Sequence, residues 1–210
     1  MGKLRTPKRK SARLSAGLTL IELMVVVAIA AIILGLAAPS FSEYIITQRL
    51  RSVHGEVATQ LQFARSEAVA RSAFVGVRFQ ESTPGVGLTC YIIFTRPDPT
   101  TSTDVCDCTA APGARCNSSP TTTTELRTVT IPGELKVGVR TPTGQTDTIT
   151  FDARSAGLKF APSDFATLTA NAFQVDSSAS GGRSLRILVL PSGRPKLCTP
   201  SGSILGGSTC

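Results

Sequence analysis

The chain has 210 residues, 22 Lys/Arg against 14 Asp/Glu, six cysteines and one histidine, for a net charge of +8. Six of those bases (Lys3, Arg5, Lys8, Arg9, Lys10 and Arg13) fall in the first 17 residues, which hold no acid. Beyond them 16 bases face 14 acids, a net +2, so the high isoelectric point excludes nothing and proves nothing about nucleic acid. Any such argument must rest on a local patch. The length after the basic leader suits one globular domain on a long helix.

Leu18 to Ala38 is an apolar run of 21 residues, which as a helix reaches about 31 Å, one hydrocarbon thickness. The basic leader places Met1 in the cytoplasm and the C-terminal bulk outside. A secretory signal peptide fits poorly: the run is too long for an h-region and no small-x-small cleavage site follows it. A plain membrane anchor fits better but leaves Glu22 unexplained, and an ionised group inside a membrane segment points to a functional partner.

Gly17 followed by Leu-Thr-Leu-Ile-Glu-Leu-Met-Val-Val-Val-Ala-Ile resembles the prepilin cleavage and assembly motif of type IV pilins and type II secretion pseudopilins. The resemblance implies cleavage after Gly17 by a prepilin peptidase and methylation of the new N-terminus at Leu18. Leu18 departs from the Phe or Met usual there. It also implies that Glu22, the fifth mature residue, pairs with the N-terminal amine of a neighbouring subunit. Pro39 falls where such helices kink or loosen, with Gly35 a second weak spot nearby.

From Phe41 to about Ser72 the pattern stays helical. Leu50, Val53, Val57, Leu61, Ala64 and Ala68 recur at spacings of three and four as one apolar stripe. The stretch Gln60–Arg71, with its Ala-Arg-Ser-Glu-Ala, resembles the helix end of the GspH/FimT family of minor pilins and pseudopilins. Arg65, Glu67 and Arg71 lie largely off the stripe and read as a solvated helix face.

The period then shifts toward two, with β-branched enrichment. Strands are predicted at Phe74–Gln80, Leu88–Thr95, Leu126–Ile131, Leu135–Thr141, Thr146–Phe151 and Ser184–Leu190. Gly85, Gly87, Pro132-Gly133, Thr143-Gly144 and Gly181-Gly182 punctuate them as turns. Residues 96–125 read as a polar, Cys-bearing accessory loop with little to bury, and 161–182 as a second irregular stretch. The expected fold is α+β, the type IV pilin-like lollipop: a long N-terminal helix packed on an antiparallel β-sheet head. The expected divisions are a leader at 1–17, a transmembrane and assembly helix at 18–38, its amphipathic continuation at 39–72, and a head at 73–210 with a basic tail at 183–210.

Cys90, Cys106, Cys108, Cys116, Cys198 and Cys210 all lie past the membrane segment, in a compartment where disulfides persist. Six cysteines allow 15 pairings. Cys198 with Cys210 is the first choice because it closes a short C-terminal loop; the other four would staple the long loop to the strand holding Cys90. A zinc site of Cys90, Cys106, Cys108 and Cys116 is the rival, against which the spacing speaks. No metal or other cofactor is expected. His54, on the helix, has no evident nucleophile beside it, and no phosphate loop or paired-carboxylate motif appears, so no catalysis is expected.

After Asp176 the chain has no acidic side chain, yet it carries Arg183, Arg186, Arg194 and Lys196: +4 over 34 residues. Gly193-Arg194-Pro195-Lys196-Leu197-Cys198 resembles the Gly-Arg-x-Arg-x-Cys tail of FimT-type minor pilins, which implies DNA binding in natural transformation. Lys196 stands where that motif has arginine, keeping the charge but losing the planar fork. Pro195 favours an exposed extended loop, in which Arg194 and Lys196 project to one side. The tail has no aromatic side chain for base stacking, so double-stranded DNA contacted through phosphates is the expected ligand. The other expected partners are further pilins, the prepilin peptidase and the inner membrane. The alternative is a purely structural subunit: a GspH-like pseudopilin of a type II secretion system, or a pilus-priming minor pilin without DNA binding.

Overall fold

In the computed structural model, α1 runs from Leu20 to Arg71, 52 residues. The residues described are 19–81, 89–97, 106–116, 123–159, 172–179, 182–200 and 208–210, without the side chains of 36–40. Gly17 and Leu18 lie outside them. The chain divides into two compact units, Met1–Ser42 and Glu43–Cys210.

In the first unit, Thr19 caps the start of α1. Its hydroxyl accepts from the Glu22 amide at 3.3 Å and its carbonyl from the Leu23 amide at 3.2 Å. Thr-x-x-Glu is the sequence signature of a capping box, and a carboxylate in the first turn also suits the helix dipole. The observed cap bond is from the Glu22 backbone amide to the Thr19 hydroxyl. The large apolar side chains from Leu20 to Leu34 are exposed. Helical structure continues through 36–40 without a break. Among the described residues, no helix is long and apolar enough to cross a membrane.

In the second unit, the stripe Leu50, Val53, Val57, Leu61, Ala64 and Ala68 is buried throughout. It meets two antiparallel sheets. β1 (Phe74–Glu81), β2 (Thr89–Arg96), β3 (Thr124–Ile131), β5 (Thr148–Phe151) and β6 (Leu158–Lys159) form one, in the order β3-β2-β1-β5-β6. β4 (Val137–Arg140), β7 (Phe173–Ala179), β8 (Arg183–Val189) and β9 (Pro195–Cys198) form the other, in the order β4-β7-β8-β9. Val75, Val77 and Phe79 of β1, Tyr91 and Ile93 of β2, and Phe173, Val175, Ile187 and Val189 of β7 and β8 complete a single core against the helix. The expected α+β class, a helix packed on antiparallel sheets, is what the structure has.

The helix ends on Ser72 in the left-handed region, φ 51°. Its amide donates to Val69 O and that of Ala73 to Ala68 O, both at 3.2 Å, the two bonds of a Schellman turn.

Three local expectations are corrected. First, β7 lies inside the stretch 161–182 expected to be irregular. Its inward positions are Phe173, Val175 and then Ser177, so a buried serine broke the apolar alternation. Second, the loop within 96–125 is not merely an accessory surface. Cys106 and Cys108 are buried and form a second small core with Cys90, Ile92 and Phe94 on the outer face of the first sheet. Cysteines pack as small apolar groups, and the Cys90–Cys108 and Cys106–Cys116 bridges hold this part of the loop on the sheet in a way the polar Thr/Ser/Pro composition around them masks. Third, residues 195–198 are an edge strand, not a loop. The start of an edge strand tolerates Pro195 because its missing N–H breaks no interior ladder.

Candidate functional site

The basic tail occupies β8, the turn after it and β9. In the β8–β9 register, Val189 faces Pro195, Leu188 faces Lys196, Ile187 faces Leu197 and Arg186 faces Cys198. Opposed residues share a face, and Ile187 and Val189 point into the core. Lys196, Arg186 and Cys198 therefore lie on the outer face of the second sheet. Arg194 precedes the strand and sits in the turn, where strand alternation does not govern it. Arg194 and Lys196 are both exposed.

The four tail cations are not equivalent. Arg186 forks onto Asp176, Nε to Oδ1 at 2.6 Å and Nη2 to Oδ2 at 2.7 Å, which pushes the guanidinium pKa further up. Nη2 of Arg183 donates to a Glu43 carboxylate oxygen at 2.9 Å. Among the described residues, the side chains of Arg194 and Lys196 have no ion pair. Two of the four charges are thus already engaged, and the local excess narrows to Arg194 and Lys196.

Glycine is required just before them. Gly193 has φ +75°, and a Cβ there would fall onto the carbonyl oxygen of Ala156. Its amide donates to Leu190 O at 2.8 Å, and the Leu190 amide to Arg194 O at 3.2 Å, closing the turn. The turn rests on the segment 152–158: the Leu158 amide donates to Pro191 O at 2.8 Å. Gly157 permits this approach, since a Cβ there would meet Pro191 O at 2.7 Å.

Arg65 completes the contact from the helix, its Nε donating to Ala156 O at 2.9 Å. This corrects the solvated-face expectation for Arg65. Lying off the apolar stripe does not put Arg65 in water, because Ala156 of the 152–158 segment meets it there. Glu67 and Arg71 form an i,i+4 ion pair at 2.6 Å. A groove of about 550 Å³ lies between Gln62, Arg65, Ser66 and Val69 of α1 and Ala156, Arg194 and Pro195 opposite. No acid lines it. The nearest turn's carboxylate, Asp152, is held below the usual range by the Arg154 amide and the Ser155 hydroxyl, so it is ionised but turned onto its own loop.

His54 is packed, not catalytic in form. It is 2% exposed, with Nδ1 3.2 Å from the Ser177 hydroxyl, and Ser177 is itself fully buried. Desolvation pulls its pKa down to about 4, against a weaker opposing pull from the Asp176 carboxylate. The imidazole is neutral at pH 7.

The cysteines form three disulfides: Cys90–Cys108, Cys106–Cys116 and Cys198–Cys210. The four sulfurs of the rival zinc arrangement are thereby consumed, and no cysteine is free. The Cys198–Cys210 bridge anchors the far end of β9, reinforced by the Thr199 amide on Ser208 O at 2.8 Å and the Cys210 amide on Thr199 O at 3.2 Å.

Comparison with known proteins agrees with this architecture at the level of family. The model of the type II transport protein GspH matches residues 55–193, and that of the prokaryotic N-terminal methylation motif matches residues 12–38. Pilin-like protein PilA1 of Thermus thermophilus is 44% identical over 80 residues, 37% of this chain and 46% of that protein. The chain thus spans about half the length of that curated relative. Among solved structures, two crystal forms of the type IV minor pilin FimU of Pseudomonas aeruginosa align at 16% identity. One has TM-score 0.45, covering 75% of this chain and 97% of that one; the other has 0.44, covering 73% and 99%. Since the GspH match alone covers more than half of its residues, the chain belongs to the GspH family of type II transport proteins and carries the N-terminal methylation motif.

Proposed function

We propose that the chain is a minor pilin of a type IV pilus whose C-terminal tail binds double-stranded DNA without sequence preference, for uptake in natural transformation. A prepilin peptidase cuts it after Gly17 and methylates Leu18. Residues 18–38 then hold it in the inner membrane with the head in the periplasm, and Glu22 joins it to other pilins in the filament. The leader charge, the methylation motif and the exposed apolar side chains from Leu20 to Leu34 support this assembly reading.

One observation carries the DNA reading. Arg194 and Lys196 are exposed and unpaired among the described residues, within a C-terminal segment devoid of acids. Phosphate contacts of this kind position a duplex without reading bases. With about two to four phosphates engaged, the log–log salt slope of binding is about −2 to −4. The test is fluorescence anisotropy of a labelled duplex against the full chain in detergent, across salt. Arg194→Ala/Lys196→Ala should weaken binding and reduce the slope by about 2. Undiminished binding by that variant sinks the proposal.

A second reading has its own support in the family description. The chain would serve as a structural pseudopilin of a type II secretion system, or as a pilus-priming subunit, with no ligand but its neighbours. A deletion strain separates the two: loss of transformation with secretion intact favours the first, and the reverse favours the second.

A further inference from the structure

We propose that Arg65, on the body of α1, is a third phosphate-binding residue beside Arg194 and Lys196, and that the groove between α1 and the Gly193 turn seats a DNA backbone segment with one phosphate on the Arg65 guanidinium and a neighbouring one on that of Arg194. This rests on the DNA-binding reading above and extends it from the tail to the helix.

Gln62, Arg65, Ser66 and Val69 are spaced as one side of a helix, and that side forms one wall of the groove. Arg194 and Pro195 form part of the other. The two guanidinium groups line one concavity without an acid among its walls, an arrangement that an anion relieves and nothing in the lining does. Arg65 is fixed by its Nε bond to Ala156 O. That single bond leaves its two terminal amino groups uncommitted among the described residues. A guanidinium held by one edge presents the other as a preformed fork, the geometry that suits a phosphate. The groove's volume of about 550 Å³ accommodates a phosphodiester with its hydration. Its apolar surface comes from Val69, Ala156 and Pro195, with no aromatic side chain, so it suits a backbone more than a stacked base. Lys196 continues the track onto the outer face of β9, two residues or about 7 Å along the strand.

The test uses the full chain in detergent with a short labelled duplex, titrated at salt from about 50 to 200 mM. Three phosphates engaged by Arg65, Arg194 and Lys196 give a slope of about −2.7 for the wild type. Arg65→Gln should bring it to about −1.8, with the melting temperature checked in parallel. Arg65→Lys loses the guanidinium fork and its Nε bond but keeps the charge, and should restore the wild-type slope. If both variants lose slope equally, Arg65 only positions the turn and the proposal fails. If Arg65→Gln leaves the slope unchanged while Arg194→Ala/Lys196→Ala reduces it, the groove proposal fails and the tail reading stands. A wild type that binds no DNA overturns both. If Arg65→Gln leaves the slope unchanged but abolishes cross-linking to a neighbouring subunit, the groove takes an acidic protein segment and the proposal is overturned.

Discussion

His54 makes the stability of this protein depend on pH in a window where little else titrates. The ring is buried between α1 and the second sheet, with Ser177 on Nδ1 and, among the described residues, no hydrogen-bond partner on Nε2. Its pKa is about 4 in the fold against about 6.5 in an unfolded chain. Between those values the unfolded state binds the extra proton, so stability rises with pH there. The contribution is fully present above pH 6.5 and is lost as pH falls toward 4. The gap corresponds to about 3 kcal/mol, with a slope approaching 1.4 kcal/mol per pH unit mid-window. Asp107, Glu125 and Asp152 also have lowered pKa values. Their contributions begin to fade as pH falls into the ordinary carboxylate range and are gone only below the folded values, so they leave the upper part of the window clear. The assay is urea unfolding of the disulfide-intact chain in detergent, followed by circular dichroism at pH 7 and pH 5. His54→Asn keeps a polar atom toward Ser177 and does not titrate. Wild type should lose about 2 kcal/mol between the two pH values beyond what the variant loses. Equal losses in both would refute the claim that the imidazole is buried and neutral.

The remaining predictions concern the helix end and the tail. Ser72→Gly should raise stability by about 1 kcal/mol, because it removes the cost of a left-handed non-glycine residue at the Schellman turn, as read by thermal melting. Gly193→Ala should destabilise by about 2 kcal/mol or more, since both the positive φ and the contact with Ala156 O forbid a Cβ; on the proposed DNA-binding reading it should also weaken that binding without changing net charge. Replacing Cys198 and Cys210 together by serine opens a loop of separation 12 and should cost about 3 kcal/mol by loop entropy, seen as a lower urea midpoint.

The legible parts of this chain were those with unmixed periodicity. The stripe from Leu50 to Ala68 announces a buried helix face because six apolar residues at three-four spacing have one consistent use. The strands Phe74–Glu81 and Thr89–Arg96 are as plain, being β-branched and aromatic between turn residues. β7 was hidden because its inward row ends in Ser177, a residue that earns its buried place only through His54, 123 positions away. β9 was hidden by Pro195, which reads as loop until its edge position is known. At the site, the motif marked Gly193, Arg194 and Lys196. It could not show that Arg183 and Arg186 are engaged by Glu43 and Asp176, because both pairings are set by folding. Arg65 was missed for the same reason: no spacing rule places a helix residue under a turn about 130 positions later.

The placement of the two uncommitted cations bears on what they can bind. A free basic tail would bring charge to a duplex but lose conformational entropy in doing so, about 1–2 kcal/mol for each residue that becomes ordered. Here that ordering is completed in folding. The Gly193 turn fixes the start of β9 through Ala156, Pro191 and Arg65, and the Cys198–Cys210 bridge fixes its end. Lys196 lies between the two anchors, on a strand whose other edge is hydrogen-bonded to β8. On the proposed DNA-binding reading, with so few charges available, affinity would depend on holding them where a phosphate track can meet them together. A lysine in place of the motif's arginine then matters less than it would on a mobile chain, because the backbone supplies the positioning that the planar fork would otherwise provide.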